Sequence, residues 1–194
     1  MPTARPLVDD ILREHAALVA MLRDGEGADQ IAAAGEALVN ALKNGGTVFV
    51  CGNGGSAADA QHLAAELVGR FVSKTRRPLP AVALTTDSSA LTSISNDYGY
   101  QSVFARQVEA LGRPGDLLIG ITTSGRSHNV LEAMDKAYGM GMTCIGLVGA
   151  DRSAVAPYCA AVVSIPSAVT ARVQEMHIMA IHAWCTMVDE EFSA

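Results

Sequence analysis

Thr47-Val48-Phe49-Val50-Cys51-Gly52-Asn53-Gly54-Gly55-Ser56 runs straight into Ala57-Ala58-Asp59-Ala60-Gln61-His62-Leu63-Ala64-Ala65-Glu66. An apolar, β-branched run stops at small residues and gives way to an alanine-rich stretch, the pattern of a strand, a tight turn and a helix. Glycine lets backbone approach a ligand closely, and the first amides of a helix have no partner inside it. Such a turn suits a phosphate or another anion. His62 and Glu66 stand four apart and project from one face of the helix. The turn holds a ligand, and the helix behind it carries groups that can act on one.

The rest of the chain narrows the class. Its 194 residues are enough for one domain with a substantial core, and the 49% apolar content, much of it alanine, fits a globular α/β chain. No apolar run approaches the roughly 20 residues of a membrane span. The N-terminal stretch reads as polar and periodic rather than as a secretory core. A net charge of −6 without a dense basic patch argues against a nucleic-acid partner. Cys51, Cys144, Cys159 and Cys185 lie far apart without metal-type spacing, so reduced core thiols are expected. A soluble cytoplasmic protein, without a membrane partner, is the expectation.

Two amphipathic helices precede the first strand. Leu7, Ile11, Leu12, Leu18, Met21 and Leu22 mark one over 4–24, and Ile31, Leu38, Val39 and Leu42 mark another over 28–43, stopped by Asn44-Gly45-Gly46. They are expected to form a hairpin outside the sheet, serving oligomerisation, because later helices suffice to cover the sheet. Beyond the charged linker 73–78, Pro80–Thr85 reads as a second buried strand, and 91–100 as a helical turn and loop. A helix over 102–111 precedes a third strand at 117–121, and a helix over 128–140 precedes a fourth at 142–148. A fifth strand at 160–165 leads to a final helix over 171–191.

This alternation predicts a doubly wound, parallel five-stranded sheet flanked by helices. Ligands then bind at the carboxyl ends of the strands. The first turn contains Gly52-x-Gly54-x-x-Ala57, a variant of the dinucleotide fingerprint. That reading wants an acid closing the next strand, and Asp87 lies too far along the chain to serve. The second turn, Thr122-Thr123-Ser124-Gly125-Arg126-Ser127, carries four hydroxyls at a helix start. A cap needs one hydroxyl, whereas a phosphate monoester uses them all.

His62, Glu66, Gln174 and His182 form the chemically interesting set. Gln174 and His182 are eight apart on the last helix, two turns and roughly 12 Å along its axis. Two imidazoles, a carboxylate and an amide can ligate Zn²⁺, or supply a general base and acid. Spacing alone leaves both open. His15, His128 and His177 are read as structural histidines.

The motif Cys51–Leu67, Ser95-Asn96-Asp97-Tyr98-Gly99-Tyr100, Thr123–Ser127 and Gln174-Glu175-Met176-His177-Ile178 together resemble the phosphoheptose isomerases of the sugar-isomerase (SIS) superfamily, over nearly the whole chain. The resemblance implies one SIS domain over 1–194, with 1–45 as the oligomerising hairpin and 46–194 as the phosphosugar-binding core. It implies an aldose–ketose isomerase converting D-sedoheptulose 7-phosphate into D-glycero-D-manno-heptose 7-phosphate through an enediol, the entry to heptose units of surface polysaccharide such as lipopolysaccharide. By the same resemblance, Asn53, Gly54, Gly55, Ser56, Glu66, Asn96, Asp97 and Gln174 contact substrate, and Thr122, Thr123, Ser124 and Ser127 hold its phosphate. Glu66 is the base and His182 the acid, while His62, Glu66, Gln174 and His182 match the ligands of one Zn²⁺ per subunit. A homotetramer is implied as well. Some relatives carry an acidic residue just before the Gln-Glu pair, where this chain has Val169-Thr170-Ala171-Arg172. The alternative is a non-catalytic SIS-type partner of the replication initiator; such relatives replace the residues matching Glu66 and His182, and this chain keeps both.

Overall fold

The expected apolar runs form five strands, β1 (Val48–Gly52), β2 (Ala81–Ala83), β3 (Leu117–Thr122), β4 (Thr143–Val148) and β5 (Ala161–Ser164). They come from a computed structural model that describes residues 4–193; residues 1–3 and 194, the two ends of the expected 1–194 unit, lie outside the described residues. All five pair in parallel in the order β2-β1-β3-β4-β5. The direction of winding therefore reverses between β1 and β3. Side by side, Gly52 pairs with Ile121 at the carboxyl ends of these two strands. Both expected ligand turns thus open onto the switch point, where doubly wound sheets bind their ligands.

Helices α1 (Ala4–Asp24), α2 (Gly27–Lys43), α3 (Gly55–Val68), α4 (Ser88–Tyr98), α5 (Ala105–Leu111), α6 (His128–Gly139) and α7 (Thr170–Phe192) flank the sheet. Successive strand residues face opposite layers. Val48, Val50, Ile119 and Leu147 pack with α2, α3 and α7, whereas Phe49, Cys51, Leu118 and Cys144 pack with α5 and α6. All five residues of β1 are buried, which is why it reads as an unbroken apolar run.

Helix α2 departs from expectation. Ala34, Leu38 and Leu42 are part of the core on one sheet face, and the Trp184 indole of α7 donates to the Ile31 carbonyl at 2.9 Å. The Gln30 side chain even accepts from the Ser164 main-chain N–H, blunting the β5 edge. Of the two N-terminal helices, α1 lies farther out, touching α2 and α7 and adding Leu18 and Leu22 to the same core. An amphipathic stripe looks the same whether it meets a sheet or another helix, so pattern alone could not tell the two apart.

Two further segments differ. The second strand is a three-residue edge strand, with Val82 39% exposed, not a buried one. Residues 88–98 form a full helix, because Asp87 caps it by accepting from the Ala90 N–H at 2.9 Å. Gly99, at φ +86°, stops that helix. A short 3₁₀ turn at Tyr100–Ser102 follows, and α5 begins later than expected.

Candidate functional site

The first turn owes its shape to two glycines. Gly54 sits at φ +56°, ψ −120°, a conformation closed to most side chains, and a Cβ on Gly55 would collide with the Gln174 amide. Ser56 N–H bonds to the Asn53 carbonyl and Ala57 N–H to that of Gly54, each at 3.0 Å. Among the described residues, no main-chain acceptor meets the N–H groups of Asn53, Gly54 and Gly55. They make an electropositive cradle at the start of α3. Ser56 is turned inward, 3% exposed.

The second turn is knitted by its hydroxyls. Thr122 is buried, and its Oγ1 lies 2.9 Å from Ser127 Oγ and 3.4 Å from Ser124 Oγ. Ser124 Oγ accepts the Arg126 N–H at 3.2 Å. A cavity of about 250 Å³ adjoins the turn, lined by Thr123, Ser124, Asp151, Ser167, Thr170 and Val173. Asp151 is an acid beside this cavity, but Arg126 bonds it at 2.7 Å. Hydrogen bonds from Ser153 and Arg126 hold its carboxyl well below the usual carboxylate range. A larger cavity of about 450 Å³ between α2 and α7 is lined by Glu36, Glu190 and Glu191, and its charge is wrong for a phosphate.

Helices α3 and α7 bring His62, Glu66 and His182 together, whereas Gln174 lies at the other end of the pair, against Gly55. With Gln174 against Gly55 and His182 against His62, they run side by side in the same direction. His62 Nε2 and His182 Nε2 share a hydrogen bond at 2.9 Å, and Glu66 Oε1 lies 3.8 Å from His62 Nε2. The Phe71 ring stacks on His182 at 5.4 Å. Glu66 is only 23% exposed, the setting of a partly shielded carboxylate. Among the described residues, no three His, Cys, Asp or Glu side chains are arranged as a ready metal shell. The two nitrogens share a hydrogen bond, and both rings belong to the four residues that match the expected ligand set, His62, Glu66, Gln174 and His182. Their donor set of imidazole nitrogen, carboxylate and amide oxygen suits Zn²⁺.

The other candidates are mixed. Asn96 and Asp97 end α4, exposed, with Asn96 donating to Asp97 at 2.7 Å. Among the described residues neither bonds to the other candidates. Arg172, in the first turn of α7, donates to the Ile11 carbonyl of α1 and to Glu175. His177 is a core histidine bonded to the Val148 carbonyl, and His15 pairs with Glu175, so both serve structure. All four thiols are free, and burial pushes Cys144, Cys159 and Cys185 up to about 12.

Three neighbours of the site were given no role by the sequence reading, although Tyr100 falls within a quoted motif. Asn129 and Tyr100 both bond to the Asn53 side chain. Phe71 reaches His182 from the segment after α3. None has a periodic or spaced signature; each is brought in by tertiary packing. Asp59, one turn before His62, has a buried Oδ2 without a partner, and burial raises its pKa against the pull of His62.

The chain and its fold are similar to known proteins. The SIS domain family matches residues 13–149. A phosphoheptose isomerase of Campylobacter jejuni is 52% identical over 186 residues, covering 96% of this chain and 98% of its own length. Among solved structures, a phosphoheptose isomerase from Neisseria gonorrhoeae has a TM-score of 0.89 at 43% identity, covering 97% of this chain and 100% of that one. One from Francisella tularensis reaches 0.91 at 35% identity, covering 97% and 99%. By this family match, by identity above 50% over nearly the whole length of a relative and by the shared fold, this chain belongs to the SIS-domain family, among the phosphoheptose isomerases.

Proposed function

We infer that this enzyme is an aldose–ketose isomerase that converts D-sedoheptulose 7-phosphate into D-glycero-D-manno-heptose 7-phosphate, the first step toward activated heptose for surface polysaccharide. The observation that carries the reading is the approach of His62 and Glu66 of α3 and His182 of α7, with an amide cradle and a hydroxyl-lined turn at the carboxyl ends of adjacent strands.

Thr122, Thr123, Ser124 and Ser127 hold the phosphate in this reading. It is remote from the reacting carbons, so its binding energy serves to position them. The amides of Asn53, Gly54 and Gly55, with Asn96, Asp97 and Gln174, hold the sugar. Glu66 takes a proton from C1 of the open-chain ketose, and His182 protonates the C2 oxygen, giving the enediol. Return of a proton to C2, with loss of the O1 proton, forms the C1 aldehyde. One proton has moved between carbons and one between oxygens, with no net oxidation. General acid–base groups of this kind contribute about 10²–10⁴-fold each.

His62, Glu66, Gln174 and His182 would hold one Zn²⁺ per subunit. When bound, the ion supplies a Lewis acid for the substrate's carbonyl oxygen. The chain's own groups carry the proton transfers.

A homotetramer is part of the same reading. Leu7, Leu12 and Met21 on α1 are 64%, 60% and 53% exposed, an apolar face that a second copy would cover. A cytoplasmic setting is supported by four unpaired thiols. Among the described residues no helix is long and apolar enough to cross a membrane.

Incubation of purified protein with sedoheptulose 7-phosphate, followed by detection of a heptose aldose, tests the function; no aldose and no proton exchange at C1 or C2 would overturn it. Light scattering tests assembly: a fully active 20.2 kDa monomer would overturn the tetramer.

A further inference from the structure

Asn53 and Asn129 bond to each other twice. Asn53 Nδ2 donates to Asn129 Oδ1 at 2.9 Å, and Asn129 Nδ2 donates to Asn53 Oδ1 at 2.8 Å. Tyr100 adds its hydroxyl, donating to the same Asn53 Oδ1 at 3.0 Å. A carbonyl oxygen has two lone pairs, so the Asn53 side-chain oxygen is saturated. It has nothing left for a sugar hydroxyl.

The three residues come from three different places. Asn53 lies in the turn after β1, Asn129 in the first turn of α6 behind the hydroxyl-lined turn, and Tyr100 just after α4. Asn129 is 4% exposed, so its amide is desolvated and depends on Asn53 for its partners. Such a pair fixes one backbone segment against another, because moving either breaks two hydrogen bonds together. The segments it fixes are the amide cradle and the phosphate turn.

We propose that Asn129 is a positioning residue of the isomerase, acting through Asn53, and that Tyr100 is its second tie. The pair sets the distance between the Asn53–Gly55 amides and the Thr122–Ser127 turn. A phosphosugar held at both ends needs that distance to place C1 and C2 against Glu66. This inference rests on the isomerase reading above, and Asn53 then serves the substrate through its main chain.

The test is steady-state kinetics with sedoheptulose 7-phosphate, using inorganic phosphate as a competitive inhibitor that reports on the hydroxyl-lined turn alone. Asn129→Ala should lower kcat at least tenfold, because misplacement by about 1 Å can lose on the order of 10²-fold. Its phosphate inhibition constant should stay within about twofold, since the loop hydroxyls are untouched. Asn53→Ala combined with Asn129→Ala should do no more than the worse single change, as expected of one coupled pair. Tyr100→Phe, an exposed change, should lower kcat about threefold or more by loss of one hydrogen bond. It carries the test if Asn129→Ala does not fold. Unchanged kcat in the folded variants, equal loss of phosphate binding, or additive effects of the two asparagine changes would each overturn the proposal. Absence of wild-type turnover would instead overturn the isomerase reading, so the two failures are distinct.

Discussion

The Nε2 atoms of His62 and His182 face each other across 2.9 Å, from α3 and α7 respectively. A hydrogen bond between two imidazole nitrogens needs one N–H and one lone pair, so the contact holds one proton and excludes a second. The rings meet edge to face, at 62°, with Phe71 also stacked on His182 at 5.4 Å. His182 is thereby oriented before any substrate arrives. In the proposed mechanism, donation from its Nε2 to a sugar oxygen requires His62 to give it up.

Ser124 offers a test of the phosphate turn. Among the described residues, its Oγ makes hydrogen bonds only within the turn, with the Arg126 N–H and Thr122 Oγ1. Ser124→Ala should weaken substrate and product alike, since isomerisation leaves the phosphate unchanged. One hydrogen bond to a charged group contributes about 1.5–3 kcal/mol, roughly ten- to hundred-fold in affinity. Equilibrium binding of the sugar phosphate reads this directly, and unaltered affinity would remove Ser124 from the site.

Arg76 clasps α3 to α7. It bonds Asp189 at 2.8 Å and donates to the main-chain carbonyls of Glu66 and Leu67, with 1% of its side chain exposed and 9% of that of Asp189. Asp189 also accepts the N–H groups of Val72 and Ser73, each at 2.7 Å. Burial alone would raise its pKa; those N–H groups and the guanidinium outweigh it and hold the carboxyl low. Arg76→Met should reduce stability by about 3–5 kcal/mol, because a buried charge loses its partner. Urea unfolding measures this, and a loss below about 1 kcal/mol would show the pair contributes little.

How far the sequence could be read depended on the range of the interactions. The β1 turn and β3 turn were legible because a strand, its turn and the following helix are local, and hydroxyl or glycine at fixed offsets has few other uses. The residues 88–98 were harder: Thr92, Ser93, Ser95 and Asn96 are weak helix formers. The Asp87 cap and packing of Leu91 and Ile94 on the core decide their state. For Asn129, a polar residue at a helix start looks like an ordinary terminus, and its partner lies 76 positions away. The closeness of His62 to His182, 120 positions apart, became readable only through family resemblance.

His177 gives the protein an acid-sensitive core. Burial lowers its pKa to about 4, partly offset by its bond to the Val148 carbonyl. An unfolded histidine titrates near 6.5, so between these values the unfolded chain binds more protons. Stability from this residue is therefore present above about pH 6.5 and lost as pH falls toward 4, by about 2 kcal/mol at pH 5. His177→Gln cannot take up that proton. Its stability should fall less steeply than wild type between pH 7 and pH 5 in urea titrations. Parallel curves would mean that His177 does not titrate on unfolding.

Glu66 decides between an enzyme and a phosphosugar-binding module. If it takes the C–H proton, Glu66→Gln keeps nearly the same shape but loses the basic oxygen, and turnover should fall by about 10²–10⁴-fold. His182→Gln should also lower turnover, since the substrate oxygen loses its donor and His62 its ring partner. Both variants should still bind the phosphosugar, because the two turns are built from other residues. Net conversion is a poor assay for weak variants. Proton exchange at C1 and C2 in deuterated water reports the enediol even when little aldose accumulates. Exchange at the wild-type rate in folded Glu66→Gln would remove Glu66 from the base role and leave the His62–His182 pair as the nearest group able to accept the proton.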